Sequence, residues 1–511
     1  MYVPNETSSM KSVQGALLSS IQLDRNSQIT LFQQLDKAMR KLILNGAVIA
    51  NQRLPSSRQL ADDLGVSRIT VKNVYEQLIA EGYVYSKIGS GSFAAENLKR
   101  EKSPRPNKRT LLKYSQRKST PKHVLSEQSK RITLSKATTR IAETRSFRPG
   151  IPALDVFPRK LWNKYWKEVN TNCDDDSFGY GPTGGIPRLK NAIAAHLRDA
   201  RSVNCDAEQI VITTGAQQAF VLIAFALINK DNIIWYEDPG HIAGRDAFHT
   251  MGAKICPVAI DEEGLDLDQA IATHPKPAVI FTTPSHQHPL GTTMSLVRRL
   301  QLLSYAHDNK SWIIEDDYDS EFQYRGRPLP ALQALDDQGS VLYVGTFSKS
   351  LFPAVRLGYI IVPHDLVAVF SAAQSLLGQG ASVLMQEVVS RFIEDGRFAD
   401  HIRKMRVIYQ QRRDVLTVEL RRQCSDMLTP VHTDVGMHLI AWLSDGLDEL
   451  KTHKALLELE IETIPLSIFS ITPQTKAGLV LGFSGTAPDD IPPLVEKMAN
   501  CLKSLLKANT T

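Results

Sequence analysis

The sequence predicts an α/β protein in two parts: a small helical module closed by two short strands, then a large layered domain built on a mostly parallel sheet. Three observations predict it. From about Phe147 onward, strand-length apolar runs alternate with helical stripes, as in sheets whose strands are joined by crossover helices. Ahead of that, two short helices meet across Gly65 and precede a glycine-rich hairpin pattern. Charge is also divided: residues 1–148 hold 26 Lys/Arg against 11 Asp/Glu, a net of +15, so the remainder carries −9 within a whole-chain +6.

A chain of 511 residues exceeds what one core usually organises, so several domains are expected. With 42% hydrophobic and 22% charged residues the composition is that of a soluble globular protein, and no apolar run reaches bilayer-spanning length. The start, Met1-Tyr2-Val3-Pro4-Asn5-Glu6, has no basic region followed by an apolar stretch, so a cytoplasmic protein with no membrane partner is expected. Cys173, Cys205, Cys256, Cys424 and Cys501 are scattered without metal-ligand spacing; reduced thiols and no metal site follow. A basic front on an acidic body points to a polyanion bound by one part only.

The organisation read from these shifts is an N-terminal extension (1–27), a first domain (28–96), a linker (97–146) and a large domain (147–511). In the first domain, Leu31, Leu35, Met39, Leu42 and Ile43 form one helical stripe that Asn45-Gly46 ends. Leu54-Pro55-Ser56-Ser57 supplies a turn and cap for a short helix from Arg58 to Leu64. Gly65 breaks it, and Ser67 caps a second helix running to about Ala80, the pattern of a helix-turn-helix. Tyr83 to Phe93, with Gly89 and Gly91, then reads as two strands around a turn, which is a wing. The linker, with 16 basic and 3 acidic groups over residues 99–148 and with Pro104, Pro106 and Pro121, reads as extended chain. Its charge serves either to keep a tether extended or to neutralise phosphates.

The runs Leu54-Pro55-Ser56-Ser57-Arg58-Gln59-Leu60-Ala61, Leu64-Gly65-Val66-Ser67-Arg68-Ile69-Thr70-Val71 and Gly89-Ser90-Gly91-Ser92-Phe93 closely resemble a GntR-type winged helix. By that resemblance Arg58, Ser67, Arg68, Thr70 and Lys72 face double-stranded DNA and Gly91 lies in the wing tip. Arg68, at the start of the recognition helix, suits a bidentate contact with a guanine edge, and Arg58, Ser67 and Lys72 suit phosphates. Two positions depart from the family: Ile69 replaces a frequent Thr, and Lys72 a frequent Arg, which makes a less directional contact.

In the large domain the chemically notable residues follow strands, where active groups of open α/β sheets collect. Thr213-Thr214-Gly215-Ala216-Gln217-Gln218 follows Gln209-Ile210-Val211-Ile212, and such a turn exposes backbone N–H groups to a phosphate. Glu237-Asp238-Pro239-Gly240-His241 follows a strand and can swing His241 over a bound ring. Thr283-Pro284-Ser285-His286-Gln287-His288-Pro289-Leu290-Gly291 follows another. Next come Glu315-Asp316-Asp317-Tyr318 and Gly345-Thr346-Phe347-Ser348-Lys349, with Arg356 seven residues beyond the lysine. A lysine, an acid and an arginine at strand ends suit pyridoxal phosphate: the lysine forms the Schiff base, the acid keeps the pyridine nitrogen protonated, and the arginine neutralises the phosphate. Strand alternation puts Asp316 and Tyr318 on one face and Glu315 and Asp317 on the other, so Asp316 is the expected partner of the ring.

The runs Trp312 to Phe322, Gly326 to Leu332 and Gly345 to Pro353 are similar to those of the MocR subfamily of GntR regulators, and the resemblance extends over essentially the whole chain. It implies a winged helix fused to a fold-type I aminotransferase-like domain, with Lys349 bound to pyridoxal 5'-phosphate, Asp316 on the pyridine nitrogen and Tyr318 at the phenolic oxygen. Thr346, Ser348, Arg356 and the Gly215-Ala216-Gln217 turn would hold the phosphate, and a head-to-tail homodimer is expected. His241 stands where the family often has tyrosine. His288 stands where many members have Phe or Tyr and aminotransferases have asparagine; it either bonds the phenolic oxygen or forms a polar wall. In Gly478-Leu479-Val480-Leu481-Gly482-Phe483, Val480 or a neighbour occupies the place of the arginine that grips an amino-acid carboxylate, which argues against efficient transamination. The expectation is therefore a DNA-binding regulator that senses a small-molecule effector through pyridoxal phosphate. The effector is either the cofactor itself, in control of vitamin B6 metabolism, or an amine such as GABA or taurine. The alternative is an active aminotransferase carrying a DNA-binding domain.

Overall fold

The computed structural model describes residues 21–25, 27–87, 90–96, 124–135, 145–326, 329–378, 380–473 and 476–510. Most of the expected N-terminal extension, most of the linker, Gly89 and Arg327 lie outside the described residues. The chain divides into two compact units, Met1–Lys122 and His123–Thr511.

The first unit contains helices Leu31–Leu44, Ser57–Leu64 and Arg68–Ala80, then antiparallel strands β1 (Val84–Lys87) and β2 (Gly91–Ala94), with Lys87 opposite Gly91. Caps set the helix starts. The Thr30, Ser56 and Ser67 hydroxyls accept from the backbone N–H of Gln33, Gln59 and Thr70, and a cap of this kind stabilises by about 0.5–2 kcal/mol. Gly65 ends the second helix at φ +62°, a left-handed conformation that favours glycine. Leu35, Met39, Leu60, Val71, Val74, Leu78 and Val84 close the core of a winged helix.

The second unit begins with a departure from expectation. Glu127–Leu134, placed by the sequence in an extended linker, is helical and capped by Ser126. Arg131 donates to the Thr250 carbonyl (3.1 Å) and Ser135 to Asp246 (2.8 Å), so the segment gains partners on the helix Ile242–Thr250 that its own sparse apolar content could not forecast.

The main sheet has eight strands: β3 (Ile210–Thr213), β4 (Ile233–Asp238), β5 (Lys254–Asp261), β6 (Gly264–Leu265), β7 (Val279–Thr282), β8 (Trp312–Asp317), β9 (Val341–Thr346) and β10 (Gly358–Ile361). Their spatial order is β3-β10-β9-β8-β7-β4-β5-β6. β5, β4, β7, β8 and β9 are parallel, while β10 runs antiparallel to both β9 and β3. Both faces are covered, by apolar clusters around Phe220, Phe248 and Phe281 and around Trp235, Leu302 and Ile313, which is why the strands read as continuous apolar runs. A second, antiparallel sheet has the order β11-β12-β14-β13, from β11 (Leu428–Pro430), β12 (His438–Leu443), β13 (Ile464–Pro465) and β14 (Gly478–Gly482). It shares a core with the long helix Arg397–Gln423 and the C-terminal helix Ile491–Thr510.

Register decides what stands side by side. Gly358 of β10 lies opposite Thr213 of β3 and Thr346 of β9. The turns that follow β3 and β9 are thereby brought to one end of the sheet, on either side of β10. A Cβ at Gly358 would stand 2.9 Å from the Gly215 backbone, so only glycine allows this approach. Gly358→Ala is expected to cost about 1–3 kcal/mol of stability through overpacking, measured by denaturant unfolding of the full chain; an unchanged midpoint would show that the turn yields freely.

Candidate functional site

Four parallel strands, β4, β7, β8 and β9, end on the same side of the sheet, and their turns supply the site. At the end of β8 the alternating side chains are divided between two tasks. Glu315 accepts from the backbone N–H of Leu332 (2.9 Å) and Gln333 (2.8 Å). Asp317 accepts from Arg201 Nε (3.0 Å) and the Tyr343 hydroxyl (2.6 Å). Both are fastened to the scaffold. Asp316 and Tyr318 point the other way, as alternation requires. Asp316 is buried and its Oδ1 has no hydrogen-bond partner, while Oδ2 lies 3.7 Å from His241 Nδ1. Burial, then the charges of Asp317, Glu237 and Asp319, push its carboxyl well above the usual carboxylate range.

Lys349 sits in the one-turn helix Phe347–Ser350, whose start is set by Thr346 Oγ1 accepting from Ser348 N (3.2 Å). Its ammonium donates to the Gly150 carbonyl (2.9 Å), and its charge acts on Asp316, His288 and His438. Gly150 is left-handed at φ +74°, and any Cβ there would collide with Lys349 Nζ. Arg356 is exposed, with φ +51°. Gly215, at φ +113°, opens the helix Ala216–Leu227 with no side-chain cap, which leaves the first N–H groups of that helix without a side-chain acceptor. Gln217 donates to the Ala243 carbonyl (3.2 Å), and its buried Oε1 has no hydrogen-bond partner.

Across the site stands a group of imidazoles. His241 caps the helix Ile242–Thr250, with its carbonyl held by the Tyr236 hydroxyl (2.5 Å). Its ring lies 5.4 Å from that of His288, which is itself 5.4 Å from Tyr318, 5.5 Å from His438 and 5.1 Å from Phe469. Burial, then the neighbouring imidazoles and Lys349, press His288 well below its usual range, and burial lowers His438 to about 3. Both are neutral at physiological pH. Glu237 ties the β4 and β7 turns together by accepting from Thr282, Thr283 and Gln287. Val480 is fully buried with Ile440, Leu466 and Phe469, so that position offers an apolar surface and no guanidinium.

The structure thus gathers Asp316, Tyr318, Lys349, His241 and His288 into one cluster, and Gly358 stands between Thr213 and Thr346 with Gly215 close against it. His286, Asp319 and His438, which the sequence reading did not single out, belong to the same cluster. His286 and Asp319 each stand in a quoted motif, but their pairing joins the turns of two different strands. His438 gives no signal at all, because it comes from β12 of the second sheet.

Comparison with known proteins accords with both halves. Residues 31–93 match the bacterial regulatory proteins of the gntR family, and residues 160–480 match aminotransferase class I and II. The probable rhizopine catabolism regulatory protein MocR of Rhizobium meliloti is 38% identical over 91% of this chain and 92% of its own. The HTH-type pyridoxine biosynthesis transcriptional regulator PdxR of Corynebacterium glutamicum is 29% identical, over 92% and 96%. Among solved structures, an archaeal alanine:glyoxylate aminotransferase superposes with a TM-score of 0.66 at 28% identity, covering 73% of this chain and 94% of that one.

The chain belongs to the MocR subfamily of GntR regulators. It is a transcriptional regulator with a DNA-binding winged helix and a fold-type I aminotransferase-like domain, a family whose cofactor is pyridoxal phosphate. The residues present fit that group. The buried Asp316 Oδ1 has no hydrogen-bond partner, Lys349 supplies an amine whose charge acts on that carboxyl, and the Gly215 turn opens a helix with no side-chain cap.

In the winged helix of this MocR-type chain, Val71, Val74, Tyr75 and Leu78 are buried, while Arg68, Ile69 and Lys72 face solvent. Arg58 is also exposed. Ser67 and Thr70 are joined by their hydroxyls (2.8 Å), and Lys72 lies 3.5 Å from Glu76. Gly91, at φ +103°, is exposed at the start of β2, and Arg53, absent from the sequence-based selection, lies against it. Arg68→Ala is expected to cost about 1–3 kcal/mol on the cognate operator and to relax base preference at one position of each half-site. Equal weakening on all sequences, measured by anisotropy on a substituted operator panel, would make Arg68 a phosphate contact instead.

Proposed function

We propose that the large domain holds pyridoxal phosphate at Lys349 and reads a small amine effector there, altering how the winged helix binds DNA. The observation that carries the reading is that Lys349 acts on the buried Asp316 carboxyl, whose Oδ1 has no hydrogen-bond partner. When bound, the cofactor supplies an electrophilic carbonyl and an electron-withdrawing ring. Lys349 holds it covalently. Asp316 accepts the pyridine N–H, and that cation returns the acid to the charged form which burial otherwise disfavours. Tyr318 donates to the phenolic oxygen, His241 covers one ring face, and His288 stands beside Tyr318. Thr346, Ser348, Arg356 and the Gly215-Ala216-Gln217 turn hold the phosphate, the turns after β3 and β9 flanking Gly358 of β10.

The pocket favours an amine that lacks an α-carboxylate. Val480 lies in an apolar cluster, and the buried guanidiniums nearby are committed, Arg201 to Asp317 and Arg413 to Asp414 and Asp434. Neutral imidazoles line the opposite wall and offer hydrogen bonds to a polar substituent. One relative is named for rhizopine catabolism and another for pyridoxine biosynthesis, and the second name makes the cofactor itself the competing effector. A head-to-tail homodimer is part of the proposal. Phe178, Tyr180 and Leu376 are exposed on neighbouring segments joined by the Thr183–Ser375 hydroxyl contact, and a second copy would cover them.

The test is binding to the DNA upstream of the protein's own gene, with cofactor-free protein, cofactor-loaded protein, and loaded protein plus GABA or taurine. An amine is expected to change affinity about 5- to 150-fold in the loaded protein and to have no effect in Lys349→Ala. A change produced by the cofactor alone would make the cofactor the signal. No response to any of them would defeat the sensor reading.

A further inference from the structure

The pocket contains a hydrogen-bonded chain that the cofactor residues do not by themselves require. Asp319, His286 and Tyr318 are consecutive members of it. His286 Nδ1 lies 2.9 and 3.1 Å from the two oxygens of Asp319 and 2.9 Å from the Tyr318 hydroxyl. Both His286 and Asp319 are almost wholly buried. The opposite nitrogen, Nε2, is buried and has no hydrogen-bond partner.

These distances fix the proton positions. A bare Nδ1 lone pair facing a carboxylate at 2.9 Å would be repelled, so Nδ1 carries a proton and donates it to Asp319. A second proton on Nε2 would be a buried donor with no acceptor, which folded proteins rarely tolerate. His286 is therefore the neutral Nδ1–H tautomer. Its one proton is shared between Asp319 and the Tyr318 oxygen, and Tyr318 can only accept from it. The hydroxyl proton of Tyr318 is thus not taken by His286 and remains available to the pocket.

The imidazole is also clamped. Gly436, left-handed at φ +83°, packs so closely on it that any Cβ would collide with the ring, and a Cβ at Gly291 would stand 3.4 Å from Nε2. The ring cannot rotate to change which nitrogen faces Tyr318. Among the described residues, the other charged or titratable groups around the chain include His288 on the same turn, Asp316 and Asp317 from β8, Glu321 and Tyr324 beyond it, Glu237 from β4, His438 from β12 and Lys349 after β9.

We infer that Asp319 and His286 are positioning residues that hold the Tyr318 hydroxyl with its proton directed at the bound cofactor's phenolic oxygen. The inference rests on the proposed role of Tyr318. Asp319 sets the tautomer of His286, and His286 sets the direction of the phenol. The arrangement resembles in logic any carboxylate that orients an imidazole for a neighbouring hydroxyl, with the hydroxyl here acting as a donor.

The consequence is readable in colour. The lysine–cofactor linkage absorbs differently when protonated, and a donor at the phenolic oxygen lowers the pH at which it loses its proton. Holo full-length protein is titrated by absorbance as wild type, Tyr318→Phe, Asp319→Asn, the double variant and His286→Asn. Tyr318→Phe should raise the midpoint by about one pH unit, the worth of one hydrogen bond. Asp319→Asn can donate to Nδ1, reverse the tautomer and draw the Tyr318 proton to His286. Its midpoint should rise equally, with no further rise in the double variant. Loss of the Asp319 charge alone would lower the midpoint, so the sign decides. His286→Asn keeps an N–H donor near the Nδ1 position and should stay close to wild type, and it tests the same point if Asp319→Asn fails to fold. A fall or no change in Asp319→Asn, additivity in the double variant, or a rise in His286→Asn would overturn the inference. An unmoved midpoint in Tyr318→Phe would instead remove the role proposed for Tyr318, and the inference with it.

Discussion

The division of labour at the end of β8 governs the pocket. Four consecutive residues, three of them acidic, could not all be buried unless most of the charge were spent on the scaffold. Glu315 is tied to two backbone N–H groups beyond the strand, and Asp317 is fixed by Arg201 and Tyr343. With those two anchored, the pleat leaves Asp316 and Tyr318 no direction but towards Lys349. The raised pKa of Asp316 is the cost of that placement, and a cationic partner would offset it. Arg201 also donates to Ser285 on the β7 turn, so the same guanidinium steadies two walls of the pocket.

Much of the architecture was legible because local chemistry and fold agree. Ser56, Gly65 and Ser67 mark helix boundaries by side-chain and backbone requirements that operate within a few residues, and the helices begin or end there. The apolar runs of β4, β7, β8 and β9 are buried on both faces, and alternation along β8 correctly separates Asp316 from its acidic neighbours. What was illegible depends on contacts distant in sequence. The His286–Asp319 bond spans the ends of β7 and β8, and His438 arrives from another sheet altogether. The helix Glu127–Leu134 was hidden because its partners, Thr250 and Asp246, lie more than a hundred residues away.

That helix gives the molecule a physical connection worth following. It packs on the helix Ile242–Thr250, whose first residue boundary is His241, and His241 stands against Asp316. Within the large unit, the segment 127–135 is thus joined through His241 to the Asp316 carboxyl. Regulation needs only a differential contact, of a few kcal/mol between two states, and no repeated turnover. Val480 lies in an apolar cluster with Ile440, Leu466 and Phe469, and so offers no charge to a carboxylate.

The central claim is that Lys349 is the point at which the cofactor joins this regulator. The direct measurement is borohydride reduction of the cofactor-loaded protein followed by peptide mass mapping. A pyridoxyl adduct confined to the peptide containing Lys349 is predicted. An adduct spread over other lysines, or none in a protein that retains its fold, would contradict the account.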